Sequence, residues 1–519
     1  MRILLALAIV LVVSVPAILA EHHHDSFANQ IMADRAIAEG EAPWLIHPLS
    51  YVGLYPFSDS PAVPLLAAAS SLEGGSSYWS ILPMNLLLSA VTFLAAAALV
   101  DSVRSDLDER IKISLALLLS LAPIPAFEFR YSLLSRQLVF FLFVLELALA
   151  NRGRWGLAAA TAALMPLSHL MGFILFLSLP ALWLSKRMEG RLLRDRTTLV
   201  LLLLTLLLVP LNAWHFLNEN YSLWRAYSKS ALPISGPLWS PVILAVSLAS
   251  ATLMLSPLAL VGFLRVVSHP EEGDSRVLVP FLVAWMFVPF RHLVGLVMNA
   301  GFLPLAARGI PGGRRGLVIA LAAVVVAASA GQALVSFRDS RSRMPVLAGE
   351  LEGSISPEVV GASSFLLLRG PGCNILPSNS YAALRIEALS GYLFLPAFAD
   401  MNLHRNLLFG NMVTSADFVH RSDVWRRNPT MIFVCNKTLE AYRDLNLLHS
   451  SGPDDPTARR ILAKYGVCMA LEDSRFEGRY GGWLMSKTYP SRFLDGLHDS
   501  GYLILDTGTL RLWLVPAST

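Results

Sequence analysis

Charged side chains are scarce in this sequence of 519 residues. Asp, Glu, Lys and Arg make up 15% of it, whereas a soluble protein usually has about 25%. The shortage is concentrated in residues 1–337, where runs of Leu, Ala, Val and Phe dominate, while residues 338–519 have an ordinary soluble composition. The composition therefore predicts a polytopic α-helical membrane domain over 1–337, followed by a separate polar domain.

Motifs for nucleotide chemistry are also missing. The sequence has no Walker motif, no dinucleotide-binding fingerprint, no nucleophile elbow and no paired-cysteine metal motif, which leaves nucleotide-driven transport and cytoplasmic redox chemistry without support. Its three cysteines, Cys373, Cys435 and Cys468, allow one disulfide at most. The net charge of +4 does not indicate a nucleic-acid partner, because much of the basic excess lies in short loops between apolar segments.

Long apolar runs, in contrast, are frequent. A helix needs about 20 apolar residues to cross a bilayer. Residues 155–185 are divided at Pro166 and His169, because proline leaves a backbone carbonyl without its helical partner. The run before Glu21 also resembles a signal peptide, and the short ninth and tenth segments could instead form a re-entrant hairpin. About eleven spans are predicted, near residues 2–20, 79–100, 113–127, 134–150, 155–169, 170–185, 198–214, 240–266, 277–290, 293–308 and 316–336.

The distribution of Lys and Arg predicts the orientation of these spans. With the N-terminus in the cytoplasm, sixteen Lys and Arg residues fall at cytoplasmic ends and loops and six at outer ones. The outer six are Arg35, Arg130, Arg136, Arg225, Lys229 and Arg291. The positive-inside rule thus predicts a multi-pass plasma-membrane protein whose first loop, 21–78, and polar domain, 338–519, lie outside the cytoplasm.

The first outer loop is long and patterned. Phe27, Ile31 and Ile37 recur at roughly helical intervals, which predicts an amphipathic helix lying in the membrane interface. Tyr55 and the neighbouring Trp44 are residue types typical of an interfacial belt. A structured loop of 58 residues favours a platform that handles substrate.

Several polar side chains at the outer ends of the spans are candidates for chemistry. Asp25 follows the first span and could serve as a general base, although its spacing also fits a helix N-cap. The preceding His22, His23 and His24 resemble a metal tract, but adjacent side chains diverge, so at most two could share an ion. Glu128 could face Asp25 or form an interfacial salt bridge.

Further candidates lie deeper or later in the chain. His169 is placed where ionisable groups usually face a cavity. Arg130 and Arg291 could bind a lipid phosphate or anchor the headgroup region. Glu146 is the one acid well inside a span, where it could pair with a neighbouring helix, and no role is assigned to it.

The polar domain is predicted to be mixed α/β. Strand-like runs are predicted at 364–368, 431–435, 467–471, 502–505 and 510–515, and helices at 380–389, 438–447, 456–465 and 491–499. Gly466 is predicted to end one helix directly before a strand. The interpretation that this domain stabilises the protein or docks a partner, without a catalytic role, is favoured.

Together these features resemble the GT-C superfamily of membrane glycosyltransferases, which use polyprenyl-phosphate-linked sugars. The resemblance rests on Asp25 after the first helix, the Tyr55-Pro56 turn, the Ser168-His169-Leu170 turn, Arg291 late in the membrane part, and the terminal α/β domain with its Leu462-Ala-Lys-Tyr-Gly-Val467 phrase. The resemblance covers nearly the whole chain. It lies in the order of the segments and not in a motif that is specific to the family.

The resemblance implies an inverting transfer of a sugar from the lipid phosphate to an acceptor hydroxyl on a glycan, lipid or protein. Asp25 and Glu128 would be the catalytic carboxylates, and substrate would be bound by His24, Tyr55, Arg130, His169 and Arg291. No Asp-x-Asp motif occurs in either outer loop, so no metal ligands are assigned and a divalent cation stays an open question. A Trp-Trp-Asp-Tyr-Gly motif is absent, which argues against transfer of a whole glycan to protein Asn. A non-catalytic assembly protein on this fold and a lipid-linked saccharide transporter are the alternatives.

Overall fold

A computed structural model gives the architecture, and all structural statements below concern the residues that it describes. Within it, contacts group the chain into two compact units: unit 1 comprises 1–20 and 81–341, and unit 2 comprises 21–80 and 342–519. The sequence-based division at 337 kept the first loop with the membrane part, whereas this grouping joins that loop to the polar domain. The described residues are 2–18, 30–31, 33–34, 37, 77–121, 135–168, 172–187, 255–271, 273–285, 291–310, parts of 316–330, 357–370, 372–378, 380–392, 394, 444, 447–474 and 491–515.

Unit 1 is helical throughout its described part. One of its helices, Pro83–Val103, is long and apolar enough by itself to cross a membrane, and four shorter apolar helices accompany it. The helices are α1 (Arg2–Ile18), α2 (Ser77–Val103), α3 (Glu109–Ser120), α4 (Ser135–Asn151), α5 (Trp155–Ser168), α6 (Gly172–Leu175), α7 (Ser178–Arg187), α8 (Ser256–Ser268), α9 (Asp274–Trp285) and α10 (Arg291–Gly309).

Residues 155–185 were predicted to form two helices divided at Pro166 and His169. The first of the observed helices ends at Ser168, close to the predicted division. Helix α5 continues through Pro166 to Ser168, and the following stretch is divided again between α6 and α7. The hydroxyl of Ser168 donates to the carbonyl of Leu164 at 2.8 Å, which satisfies one acceptor in the last turn of α5. The predicted span 198–214 lies outside the described residues.

Helices α8, α9 and α10 form a tightly packed group. A Cβ at Gly262 would lie 1.9 Å from the carbonyl oxygen of Leu305, and one at Gly309 would lie 2.3 Å from that of Leu258. Both positions therefore need glycine for the backbones of α8 and α10 to meet, as small residues allow between helices in membranes. Phe281 of α9 stacks on Phe302 of α10 with ring centroids 5.8 Å apart.

Unit 2 contains a four-stranded sheet covered by helices on both faces. The strand order is β1-β2-β4-β3, with β1 and β2 parallel and the other pairs antiparallel. The elements are α11 (Pro357–Arg369), β1 (Asn374–Pro377), α12 (Ser380–Ser390), α13 (Pro456–Lys464), β2 (Val467–Asp473), α14 (Arg492–Ser500), β3 (Tyr502–Asp506) and β4 (Leu510–Leu514).

Alternation along the strands builds two cores. In β2, Met469 and Leu471 pack with α11 and α12, while Ala470 between them packs with α13 and α14. In β4, Leu512 likewise packs with α11 and α12, and Trp513 packs with α13 and α14. This period of two follows from the pleat, which turns successive side chains to opposite faces of the sheet.

Most of the predicted elements of the polar domain are confirmed where they are described, with one clear error. Residues 364–368 were predicted as a strand and instead lie in α11. The prediction followed the apolar run, but Val359, Ala362 and Leu366 are the buried residues, and their helical spacing faces them to one core. Strand β1 was not predicted, because four residues give too short a pattern. The predicted strand 431–435 lies outside the described residues.

Local signals explain why the confirmed helices start and stop where they do. The Asp455 carboxylate accepts from the Thr457 N–H at 2.7 Å, and the Ser491 hydroxyl accepts from the Leu494 N–H at 3.1 Å, so both residues are N-caps. Gly466 has φ +60° and ends α13 directly before β2, as the sequence predicted.

A disulfide joins Cys373 to Cys468, with the two Cα atoms 5.7 Å apart. It links the residue before β1 to the neighbouring strand β2 and closes a separation of 95 residues. The sequence allowed a single disulfide without indicating which cysteines form it, because the pairing is a property of the sheet.

This bond makes a simple prediction about thiols. Protein denatured without reductant should show one reactive thiol per chain, from Cys435, and three after reduction, measured by maleimide mass shift. The Cys435→Ser variant is the matched control and should show none before reduction and two after it. Two or three reactive thiols in unreduced wild type would contradict the pairing.

Candidate active site and its surroundings

The residues that the sequence nominated for chemistry lie almost entirely outside the described part of the chain. Arg291 is the exception, since it is the first residue of α10, although its side chain is not described. The structure therefore gives no distances between the nominated side chains. That they form one site stays a prediction. The residues outside are Asp25, Glu128, His24, Tyr55, Arg130 and His169.

Ion pairs join the helix ends of unit 1 that lie away from these residues in sequence. Arg2 of α1 lies 3.7 Å from Glu109 at the start of α3. Asp101 near the end of α2 lies 2.7 Å from Lys112 of α3 and 2.9 Å from Arg152, which follows α4. The starts of α1 and α3 therefore meet the ends of α2 and α4.

A second group of charges extends the same end of unit 1. The Nε of Arg308, near the end of α10, lies 2.8 Å from Asp274 at the start of α9, and its guanidinium also pairs with Glu271. The hydrogen bond from Arg308 lowers the pKa of Glu271, and Arg265 and Arg104 act in the same direction. Helices α3 and α10 contact each other, which connects this group with the first one. We call the whole region the ion-paired end.

Several helices have one end at the ion-paired end and extend away from it. At about 1.5 Å per residue, α1 with 17 residues, α5 with 14 and α10 with 19 extend for about 20 to 28 Å. Helix α3, with 12 residues, extends for about 18 Å. Their far ends are Ile18, Ser168, Arg291 and Leu121.

These far ends are the points of the chain nearest to the nominated residues. Ile18 lies seven positions before Asp25, Leu121 seven before Glu128, and Ser168 directly before His169. Arg291 is itself such an end. Four helices that are distant in sequence thus each have one end away from the ion pairs, and those ends lie close in sequence to the nominated residues.

Polar groups are also buried between the helices of unit 1. The Ser178 hydroxyl of α7 donates to Glu146 of α4 at 2.9 Å, and both residues are fully buried. The expected pairing of Glu146 with a neighbouring helix is therefore confirmed. Asn85, Ser89 and Thr92 form a buried polar stripe on α2 at helical spacing, which the sequence analysis did not single out.

In unit 2 the first loop contacts the polar domain directly. The side-chain amide of Gln30 donates to the carbonyl of Ala388 in α12 at 2.8 Å, and Ile31 and Ala33 beside it are buried. The described residues of this loop segment are helical, as predicted. Their observed packing partner is α12, whereas the predicted membrane-interface role is not tested by these contacts.

The polar domain contains buried and clustered polar side chains that the sequence gave no reason to select. Arg385 and Glu387 are buried on α12, on the helix that also contacts the first loop. Glu472 accepts from the Trp513 indole at 3.1 Å and lies 3.1 Å from the His498 Nε2. Such groups can be found only from the fold, because helix and strand partners distant in sequence bring them together.

His449 is the most strongly perturbed of these groups. Its Nδ1 lies 2.9 Å from the Ser491 hydroxyl, and burial lowers the pKa of His449 to about 4. Because Ser491 uses an oxygen lone pair to cap α14, its proton is available to the imidazole nitrogen. The neutral ring is therefore the form that the folded protein holds.

Metal coordination was left open by the sequence. Among the described residues, no group of three or more His, Cys, Asp or Glu side chains is arranged to hold a metal ion. His22, His23 and His24 lie outside that part of the chain. The described side chains thus supply no ligand set that fits a divalent cation.

Comparison with known proteins identifies the fold. No protein-family model and no curated sequence matches the chain. All of it superposes on part of arabinofuranosyltransferase AftD from Mycobacteria, with a TM-score of 0.52 and 14% identity, and it spans 40% of that longer protein. It also superposes over 91% of its length on 70% of the oligosaccharyltransferase of Archaeoglobus fulgidus, with a TM-score of 0.50 and 13% identity.

Both of these proteins are GT-C membrane glycosyltransferases. The chain therefore has the GT-C fold, and the resemblance stated from the sequence is confirmed at the level of the fold. At 13–14% identity the likeness extends to the fold alone and not to substrate or residue roles.

The His449 environment predicts a pH dependence of stability. The folded-state pKa of about 4 lies below the unfolded value of about 6.5, so the unfolded state binds more protons between these values. The contribution of His449 to stability is fully present only well above pH 6.5, and it is lost as the pH falls through 6.5 towards 4, by up to about 3 kcal/mol.

The test compares unfolding of wild type with that of the His449→Asn variant in the full chain between pH 7.5 and 4. The variant should lose this acid-dependent component, whereas the exposed-site control His269→Asn should keep it. Equal pH dependence in wild type and His449→Asn would refute the assignment.

Proposed function

We propose that this protein is an inverting membrane glycosyltransferase that transfers a sugar from a polyprenyl-phosphate donor to an acceptor hydroxyl on a glycan, lipid or protein. The supporting observation is that the helix ends away from the ion pairs, at Ile18, Leu121, Ser168 and Arg291, lie close in sequence to the nominated residues. The GT-C fold supports the same reaction class.

The reaction needs few protein groups because the donor has its own leaving group. Asp25 removes the acceptor hydroxyl proton as the acceptor oxygen bonds to the anomeric carbon. The bond from that carbon to the phosphate oxygen breaks at the same time, and the phosphate leaves with the electron pair. A single displacement of this kind inverts the anomeric centre.

The remaining nominated residues have supporting roles in this proposal. Arg291 and Arg130 stabilise the charge that develops on the departing phosphate, because guanidinium binds phosphate oxygens in a bidentate manner. His24, Tyr55 and His169 contact the sugar or acceptor. Glu128 is the second catalytic carboxylate and holds the acceptor hydroxyl in position for Asp25.

The proposed site lies on the non-cytoplasmic side of the plasma membrane. The excess of Lys and Arg in the opposite loops supports this orientation. The Cys373–Cys468 disulfide supports it independently, because disulfides persist in oxidising compartments and are rare in the cytoplasm. A lipid-linked donor is suited to that side, where nucleotide sugars are not supplied.

Metal dependence is a separate question for the same assay. The Archaeoglobus fulgidus oligosaccharyltransferase has been solved with Zn and sulfate, which concerns that protein. The reaction proposed for the present chain has no step that requires a metal. Parallel assays with EDTA and with added Mn²⁺ or Mg²⁺ decide whether a divalent cation contributes.

The Asp25→Asn variant tests the catalytic carboxylate. Purified protein is incubated with a panel of polyprenyl-phosphate sugars, and release of the lipid phosphate is measured with the best donor. The variant should lose about 10²- to 10⁴-fold in turnover, since that is the usual contribution of a general base. Asp59→Asn, in the same loop, is the control and should keep wild-type turnover.

Two results would count against the proposal. Full activity of Asp25→Asn would remove Asp25 from catalysis while leaving the reaction class intact. Absence of lipid-phosphate release by folded wild-type protein with every donor and acceptor would instead favour the assembly protein on the GT-C fold.

The Arg291→Lys variant tests phosphate binding separately from proton transfer. Lysine keeps the charge and loses the bidentate geometry, so the donor KM should rise about tenfold or more, as hydrogen bonds to charged groups contribute about 1.5–3 kcal/mol. Arg110→Lys, at the ion-paired end, is the matched control and should leave KM unchanged. An unaltered donor KM in Arg291→Lys would contradict the role.

A further inference from the structure

Helices α5 and α7 both expose large apolar side chains. On α5, Leu157 is 59% exposed and Leu164 is 50% exposed; on α7, Leu184 is 51% exposed. The two helices contact each other, and we call these exposed side chains the apolar face of α5 and α7. In a helical unit of this composition, such a surface fits the acyl chains of lipids.

Four cationic side chains border this face where α5 begins and α7 ends. We call Arg152, Arg154, Lys186 and Arg187 the basic rim. All four are exposed, and Gly153, with φ +73°, forms the tight turn that brings Arg152 and Arg154 to the start of α5.

Two tryptophans fix the position of the rim relative to the helices. The Lys186 Nζ lies 5.4 Å from the centre of the Trp155 ring, which joins the end of α7 to the start of α5. The Arg187 Cζ lies 4.2 Å from the centre of the Trp183 ring. These cation–π contacts hold the cations beside the apolar face and leave their N–H groups available to an anion.

The charges of the rim are largely uncompensated. Arg152 pairs with Asp101 at 2.9 Å, but no described carboxylate pairs with Arg154, Lys186 or Arg187. Elsewhere at the ion-paired end, Arg2, Arg265 and Arg308 each have an acidic partner. Three cations that have no acidic partner among the described residues therefore lie close together, next to a surface suited to acyl chains.

We propose that the basic rim binds the phosphate headgroup of an anionic phospholipid whose acyl chains lie along the exposed face of α5 and α7. Charge complementarity identifies the headgroup, because a phosphodiester supplies the acceptor oxygens that Arg and Lys lack here. The apolar face identifies the lipid, because a soluble phosphate has nothing to place there. This site lies at the end of unit 1 opposite the candidate active site and is independent of the proposed reaction.

Native mass spectrometry of the full chain in neutral detergent tests the site. Phosphatidylglycerol and phosphatidylcholine with the same acyl chains are titrated against wild type, the rim variant Arg154→Gln/Lys186→Gln/Arg187→Gln, and a charge-matched control, Arg2→Gln/Arg110→Gln/Arg265→Gln. The control removes three cations from the same end, away from the two tryptophans.

Wild type and control should bind one phosphatidylglycerol in preference to phosphatidylcholine. The rim variant should bind it about tenfold or more weakly, since each Lys or Arg near an anionic headgroup strengthens binding by about fivefold. Inorganic phosphate in excess over the lipid should not displace it, because phosphate has no acyl chains to place on the apolar face.

Three results would overturn the inference: equal loss of binding in the rim variant and the control, equal affinity for the two lipids, or displacement by inorganic phosphate. The last would show a simple anion site. Thermal unfolding in detergent without added lipid is measured for both triple variants, and similar midpoints exclude misfolding as the cause of any difference in lipid binding.

Discussion

The arrangement of unit 1 depends on the ion pairs that collect at one end of its described helices. A charged group inside a bilayer is costly, so helices that cross it collect their Lys, Arg, Asp and Glu at the ends. Here the collected charges pair with one another, and Arg308 with Asp274 is largely buried, with side chains 12% and 3% exposed. Removing one partner of such a pair would leave an uncompensated buried charge. The pairs thus hold the helix ends together and determine by exclusion which ends meet at the far side.

That far side is where the chemistry is proposed, and the ion-paired end is where the lipid site is proposed. The two proposals depend on different features at the two ends of the same group of helices. At the proposed active-site end, helices α1, α3 and α5 end at or next to Ile18, Leu121 and Ser168, shortly before the nominated residues in sequence. At the other end the turns after α2, α4 and α8 are short, the helices pack closely at Gly262 and Gly309, and Lys186 lies over Trp155 without an acidic partner among the described residues.

Much of the polar domain was accessible from the sequence, and the reason differs from one element to the next. The helix at Pro456–Lys464 and the strand after it were predicted correctly, because Asp455 caps the helix and Gly466 ends it, and both signals are local. The run at 364–368 was misread, because apolar residues in succession do not distinguish a strand from one side of a helix. The contact from Gln30 to Ala388 was inaccessible, because it joins positions 358 residues apart.

The sequence by itself determined that the chain is mostly apolar and that its layout resembles that of GT-C enzymes, because composition and layout are properties of the chain order. It also nominated residues for glycosyl transfer, and those assignments stay predictions. The tertiary structure alone decided which helix ends share a side, that the first loop packs with α12, that Cys373 pairs with Cys468, and that Lys186 lies over Trp155. Each of these is a contact between segments distant in sequence, and no local pattern of side chains encodes such a distance.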